Sequence, residues 1–111
     1  MAKIGNYIKE SISNLIESAN IKYMKWDMNR NFSDIYSNSL NNISQGKLMH
    51  LYQLGLYEIL DYLTNKYPDV LFESCASGGN RFDMGMFLYM PQAWTSDNTD
   101  GYTRQLIHYG T

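Results

Sequence analysis

Two aspartates set the chemical question. Asp27 closes the run Tyr23-Met24-Lys25-Trp26-Asp27, and Asp97 follows Gln92-Ala93-Trp94-Thr95-Ser96. Hydrolysis of a glycosidic bond needs such a pair: carboxyls about 5–5.5 Å apart for retention, and farther apart for inversion, which must admit a water. Lys25 lies two positions before Asp27 and Asn29 two after it, so on a strand the three share one face. Lys25 there would hold Asp27 ionised and donate to a sugar hydroxyl. Asp97, in a polar turn after Trp94, is the matching acid if a closed site keeps it dry enough to stay protonated. The plain alternative also stands: paired aspartates are usually solvated or cap helices, and a strand with a polar edge can simply face water.

Other groups compete for attention. Glu73 ends a second apolar run and is the rival to either aspartate, or else a supporting partner behind them. Cys75 with His50 and His108 would suit a thiol hydrolase, but one histidine falls on a helix face and the other near the last residues, with nothing to bring them together. Gly78-Gly79 is too short for a phosphate cradle and lacks the lysine of a P-loop. Arg81 and Asp83 read as a pair holding a turn, Asp100 as the cap of a final helix with Asn98 or Thr99, and the seven Met as core filler.

The elements that must position these groups follow from periodicity. Ile4, Ile8, Ile12, Leu15, Ile16 and Ala19 recur at helical spacing, predicting a helix over 3–19 that stops at Asn20. A strand over 21–27 follows, with Lys25, Asp27 and Asn29 on one face and Trp26 and Met28 on the other. Residues 29–45 are rich in Asn and Ser and read as a long loop, more often functional than idle, beside the proposed cavity. The helical period returns over 47–66 and ends before Pro68. Val70-Leu71-Phe72-Glu73 predicts a strand buried on both sides, followed by a turn of small residues over 74–80. A helical or irregular apolar stretch over 82–89, a third strand over 92–95 and a last helix over 102–109 complete the order.

Strands alternating with helices imply parallel βα units, and strand ends that all carry polar groups at one edge fit a TIM-type barrel. The expected fold class is α/β: about three strands of a (β/α)8 barrel, residues 1–111 being one partial catalytic domain. The order opens on a helix and closes inside one, which also favours a piece of a larger barrel.

Composition bounds the partners. With 44% hydrophobic residues and 14% aromatic ones, the chain of 111 residues can bury a core. A net charge of −2 argues against a nucleic-acid or anionic-membrane surface, which would need clustered Lys and Arg. A single cysteine and the lack of any apolar run of membrane-spanning length predict a cytoplasmic protein.

Three segments carry a resemblance to a known family. Lys25-Trp26-Asp27-Met28-Asn29-Arg30, Phe72-Glu73-Ser74-Cys75-Ala76-Ser77-Gly78-Gly79-Asn80-Arg81-Phe82-Asp83 and Gln92-Ala93-Trp94-Thr95-Ser96-Asp97-Asn98-Thr99-Asp100 resemble, in order, the active-site segments of glycoside hydrolase family 36, the α-galactosidases. The resemblance implies a TIM barrel that cleaves terminal α-galactosides of the melibiose and raffinose type with retention. It implies Asp27 as nucleophile, Asp97 as acid/base and sugar contact, and Lys25, Asn29 and Cys75 in the galactose pocket, with no metal or cofactor. Ser77 and Asn80 stand where the family turn is usually richer in glycine. Family enzymes are much longer, so this chain is expected to hold about the middle three strands, to expose two sheet edges and to be inactive or nearly so alone. The alternatives are a non-catalytic piece that only self-associates, an α-N-acetylgalactosaminidase, or a raffinose-type galactosyl transferase.

Overall fold

The computed structural model describes residues 2–29, 32–76 and 83–110. The chain divides into two compact units, Met1–Lys22 with Phe32–Asp69, and Tyr23–Asn31 with Val70–Thr111.

The first unit pairs two helices, α1 (Ala2–Ala19) and α2 (Leu48–Lys66). Ile16 of α1 and Leu56, Ile59, Leu60 and Leu63 of α2 are buried, the last two completely. The predicted stripes are therefore covered only in part: Ile4, Leu15 and Leu54 remain exposed. Lys9 bridges to Glu58 at 2.6 Å, and Lys66 to Glu17 at 3.2 Å. The stop at Asn20 has a clear geometry. Its φ of 48° lies in the left-handed region, and the Ile21 N–H donates to the Ile16 carbonyl at 3.2 Å. That six-to-one bond is the Schellman closure, and asparagine is among the few residues with a side chain that take the left-handed turn readily. α2 ends at Tyr67, whose φ of −127° and ψ of 67° take it out of the helix ahead of Pro68.

The stretch read as loop is more ordered than its composition suggests. A 3-10 helix occupies Asn42–Lys47, capped by Asn41, whose side chain accepts from the Ser44 N–H at 2.9 Å. Gln45 closes the loop on itself, accepting from the Ser37 N–H and donating to the carbonyls of Ser37 and Leu40. Phe32 packs edge-on against Tyr52 with ring centres 4.7 Å apart. Local side-chain bonds thus replace the apolar burial that the segment lacks.

The second unit is a parallel sheet, β1 (Tyr23–Asp27), β2 (Leu71–Cys75) and β3 (Gln92–Trp94), in that spatial order, followed by α3 (Gly101–Gly110). Central β2 is buried from Phe72 to Cys75, as expected of a strand covered on both faces. β1 alternates exposed and half-buried residues, which confirms the division into a Lys25-Asp27 side and a Trp26 side. The expected apolar stretch forms only one 3-10 turn, Met86–Leu88. The methionines do not all serve as core filler: Met86 and Met90 are buried, whereas Met84 is exposed. Among the described residues the sheet is open, with β1 and β3 at its edges, and not a closed barrel. Of the expected turn over 74–80, Ser74 and Cys75 instead continue β2, which runs two residues past the predicted end at Glu73. Residues 77–80 lie outside the described residues, as do Arg81 of the expected Arg81–Asp83 pair and Arg30.

A candidate carbohydrate site at the strand ends

The register of the sheet assembles the site. Asp27 pairs with Cys75 and Cys75 with Trp94, so the three stand in one row at the C-terminal ends of the strands. Two residues earlier on each strand, Lys25 pairs with Glu73 and Glu73 with Gln92. In-register neighbours of parallel strands point to the same side, and residues two apart do so as well. Lys25, Asp27, Glu73, Cys75, Gln92 and Trp94 therefore line one face of the sheet. Met24, Trp26, Phe72, Ser74 and Ala93 take the other.

Asp27 is exposed, and its carboxyl is held below the usual aspartate range. The main cause is a hydrogen bond from the Cys75 thiol. Next comes the Asn29 amide, whose Nδ2 donates to Oδ2 at 3.0 Å, then the Met28 backbone N–H, and last the charge of Lys25. Donors to a carboxylate favour its charged form. The expectation that Lys25 keeps Asp27 ionised is thus only a small part of the answer. Lys25 instead places its ammonium 4.8 Å from the centre of the Trp94 ring. Cys75 is buried and serves Asp27 as a donor. The Met28 N–H donates to the Cys75 carbonyl at 2.8 Å, carrying the β1–β2 pairing one residue past Asp27.

Asp97 lies three residues beyond Trp94 and accepts a hydrogen bond from its indole Nε1–H at 2.7 Å. The turn that carries it is self-bonded. Ser96 Oγ accepts from the Asn98 N–H, Asn98 Oδ1 accepts from the Asp100 N–H, and Asp100 Oδ1 accepts from both the N–H and the hydroxyl of Thr103. Asp100 is thus the N-cap of α3, and those bonds hold its carboxyl below the usual range. Glu73 is 3% exposed and accepts from the Gln92 side-chain amide at 3.2 Å. Its burial a row behind the strand ends fits a supporting part better than a rival to the aspartates. His50 and His108 are both exposed, on α2 of the first unit and in the last turn of α3.

Sequence reasoning missed Arg104. It lies 4.8 Å from the Trp94 ring and donates to the carbonyls of Ser96 and Asn98. The signal was present: a helix capped at Asp100 carries residue 104 one turn on, directly over its own entry loop.

Comparison with known proteins places the whole chain in one family. A family model described as Melibiase matches residues 1–111. The α-galactosidase AgaA of Geobacillus stearothermophilus is 54% identical over 106 residues, covering 96% of this chain and 14% of AgaA. The crystal structure of the Lactobacillus brevis α-galactosidase superposes with a TM-score of 0.94 at 51% identity, over 99% of this chain and 15% of that one. Variants of AgaA solved with raffinose and with stachyose superpose at a TM-score of 0.92 and 50% identity, again over 99% of this chain and 15% of theirs. The chain therefore spans about 15% of the length of these relatives. Matched along its whole length and half identical in sequence, it belongs to the melibiase family, among the α-galactosidases of glycoside hydrolase family 36.

Proposed function

We propose that residues 1–111 are the part of a retaining α-galactosidase barrel that carries both reacting carboxylates. The observation that carries this reading is the ordering of Asp27. Its carboxylate is kept charged by an S–H donor and an amide donor at the rim of a parallel sheet, while Asp97 stands beyond the third strand of the same rim. Asp27 and Trp94 stand at the two ends of one row, two strand spacings apart, about 9.5 Å between backbones. Side chains leaning in from both sides can narrow that to the gap of about 5–5.5 Å that retention requires.

In this reading an oxygen of Asp27 attacks the anomeric carbon of a terminal α-galactoside. The bond to the leaving oxygen breaks, and Asp97 supplies that oxygen with its proton. Asp97, now a carboxylate, takes a proton from water; the water oxygen attacks the same carbon and Asp27 departs. Two inversions give net retention. Lys25 and Asn29 flank the nucleophile on its face and donate to sugar hydroxyls, and Cys75 forms the floor between them. The raffinose and stachyose bound by AgaA variants support oligosaccharides ending in α-galactose as the substrate class. The single, buried Cys75 is in keeping with a reducing, cytoplasmic setting.

The test is a graft of these residues into the matching segment of full-length AgaA. Turnover of p-nitrophenyl α-galactoside is expected, abolished by Asp27→Asn and strongly reduced by Asp97→Asn. Activity that survives Asp27→Asn would refute the assignment. A second reading concerns the chain by itself: its open sheet edges favour self-association and little or no turnover. Measurable hydrolysis by the purified 111 residues would overturn that.

A further inference from the structure

Trp94 and Arg104 are tied to Asp97 from several directions at once. The Trp94 indole N–H donates to Oδ1 of Asp97 at 2.7 Å, while its ring takes Lys25 Nζ and the Arg104 guanidinium, each at 4.8 Å. Both cations are within cation–π range. Arg104 also donates from one terminal nitrogen to the Ser96 carbonyl at 2.9 Å and to the Asn98 carbonyl at 3.2 Å. Those two carbonyls belong to the residues on either side of Asp97. The guanidinium thus holds both sides of the turn, and the indole holds the carboxyl that the turn presents. α3 delivers the arginine: its N–H donates to the Asp100 carbonyl at 2.9 Å, the first helical bond after the cap.

We propose that Trp94 and Arg104 are positioning residues for Asp97, fixing one carboxyl oxygen so that the other carries the proton exchanged with the leaving group. The proposal rests on the reading of Asp97 as acid/base. Asp97 is exposed in a turn, where a carboxyl free to rotate would present either oxygen in many directions. The indole is a donor with no acceptor site, so it occupies Oδ1 without competing for the proton. Lys25 on the same ring links this arrangement to the strand that carries Asp27. Misplacing a reacting group by about 1 Å can cost on the order of a hundred-fold in rate. That loss falls on leaving groups that must be protonated to depart.

The experiment uses the AgaA graft with two substrates. Trp94→Phe keeps the ring and removes the donor. Raffinose turnover is expected to fall roughly ten- to a hundred-fold, while the initial release of dinitrophenolate from a dinitrophenyl α-galactoside falls less than about three-fold. Arg104→Lys, which keeps the charge and loses the planar fork, is expected to give the same split. Equal losses on both substrates, or no loss on raffinose, would overturn the proposal. Raffinose turnover that withstands Asp97→Asn would instead remove the acid/base reading beneath it. The bond itself is read in the ¹⁵N-labelled 111-residue chain, whether or not the graft turns over. The Trp94 indole resonance, identified by its loss in Trp94→Phe, is expected to move on Asp97→Asn and to stay in place on Asp61→Asn. An indole signal indifferent to Asp97→Asn overturns the proposal.

Discussion

Phe72 offers a direct test of how the strand-end row is held. It sits in the central strand, 1% exposed, on the face opposite Glu73 and Cys75. Its truncation therefore removes core without touching the site. Phe72→Ala forfeits roughly 2–3 kcal/mol of transfer free energy for a fully covered ring. With the cavity it leaves, the total becomes about 3–5 kcal/mol. A chain of this size is stable by only about 5–15 kcal/mol, so the substitution takes at least a fifth of the margin. The neighbouring Leu71 is the control: at 40% exposure its truncation should cost only about 1.5 kcal/mol and leave little cavity. The assay is urea unfolding followed by tryptophan fluorescence. Trp26 on β1 and Trp94 on β3 flank the central strand, so the signal reports on the sheet itself. A midpoint for Phe72→Ala no lower than that for Leu71→Ala, at unchanged denaturant slope, would refute the claim that this side chain anchors the sheet.

Other outcomes follow from the same geometry. Asn20→Ala should lower stability by about 1 kcal/mol and Asn20→Gly should not, because the left-handed backbone at φ 48° penalises a β-carbon; thermal unfolding of the two variants decides it. Cys75→Ala should raise the Asp27 pKa toward that of an ordinary aspartate, more than Asn29→Ala does, and so move the acid limb of the graft's pH–rate profile to higher pH. Asp100 has a folded pKa below its unfolded one, so its contribution is present above the unfolded pKa and is lost as pH falls through the folded pKa. Helical circular dichroism from α3 should decline over that acid range, and Asp100→Asn should keep the cap while removing the pH dependence.

Much of this molecule was legible in its residues because the signals are local. A period of 3.6 marked α1 and α2, a period of 2 divided the Lys25-Asp27 side from the Trp26 side, and Asn20 and Pro68 by their backbone and Asp100 by its capping side chain marked boundaries. The motif segments around Asp27, Cys75 and Asp97 likewise pointed to the family that the comparisons then established. What the sequence could not give was partnership across strands. Register alone makes Cys75 the middle of the Asp27–Trp94 row and so makes its thiol, rather than the nearby Lys25, the main support of the Asp27 charge. The order within the stretch read as a loop over 29–45 was obscure for a related reason: it comes from Gln45 reaching back to Ser37 and Leu40, pairings with no periodicity. Arg104 was hidden in the same way. A helical arginine is an ordinary surface residue until the fold sets the turn over 96–98 and an indole ring within its reach, and hydrogen bonds and cation–π contacts depend on that distance rather than on position in the chain.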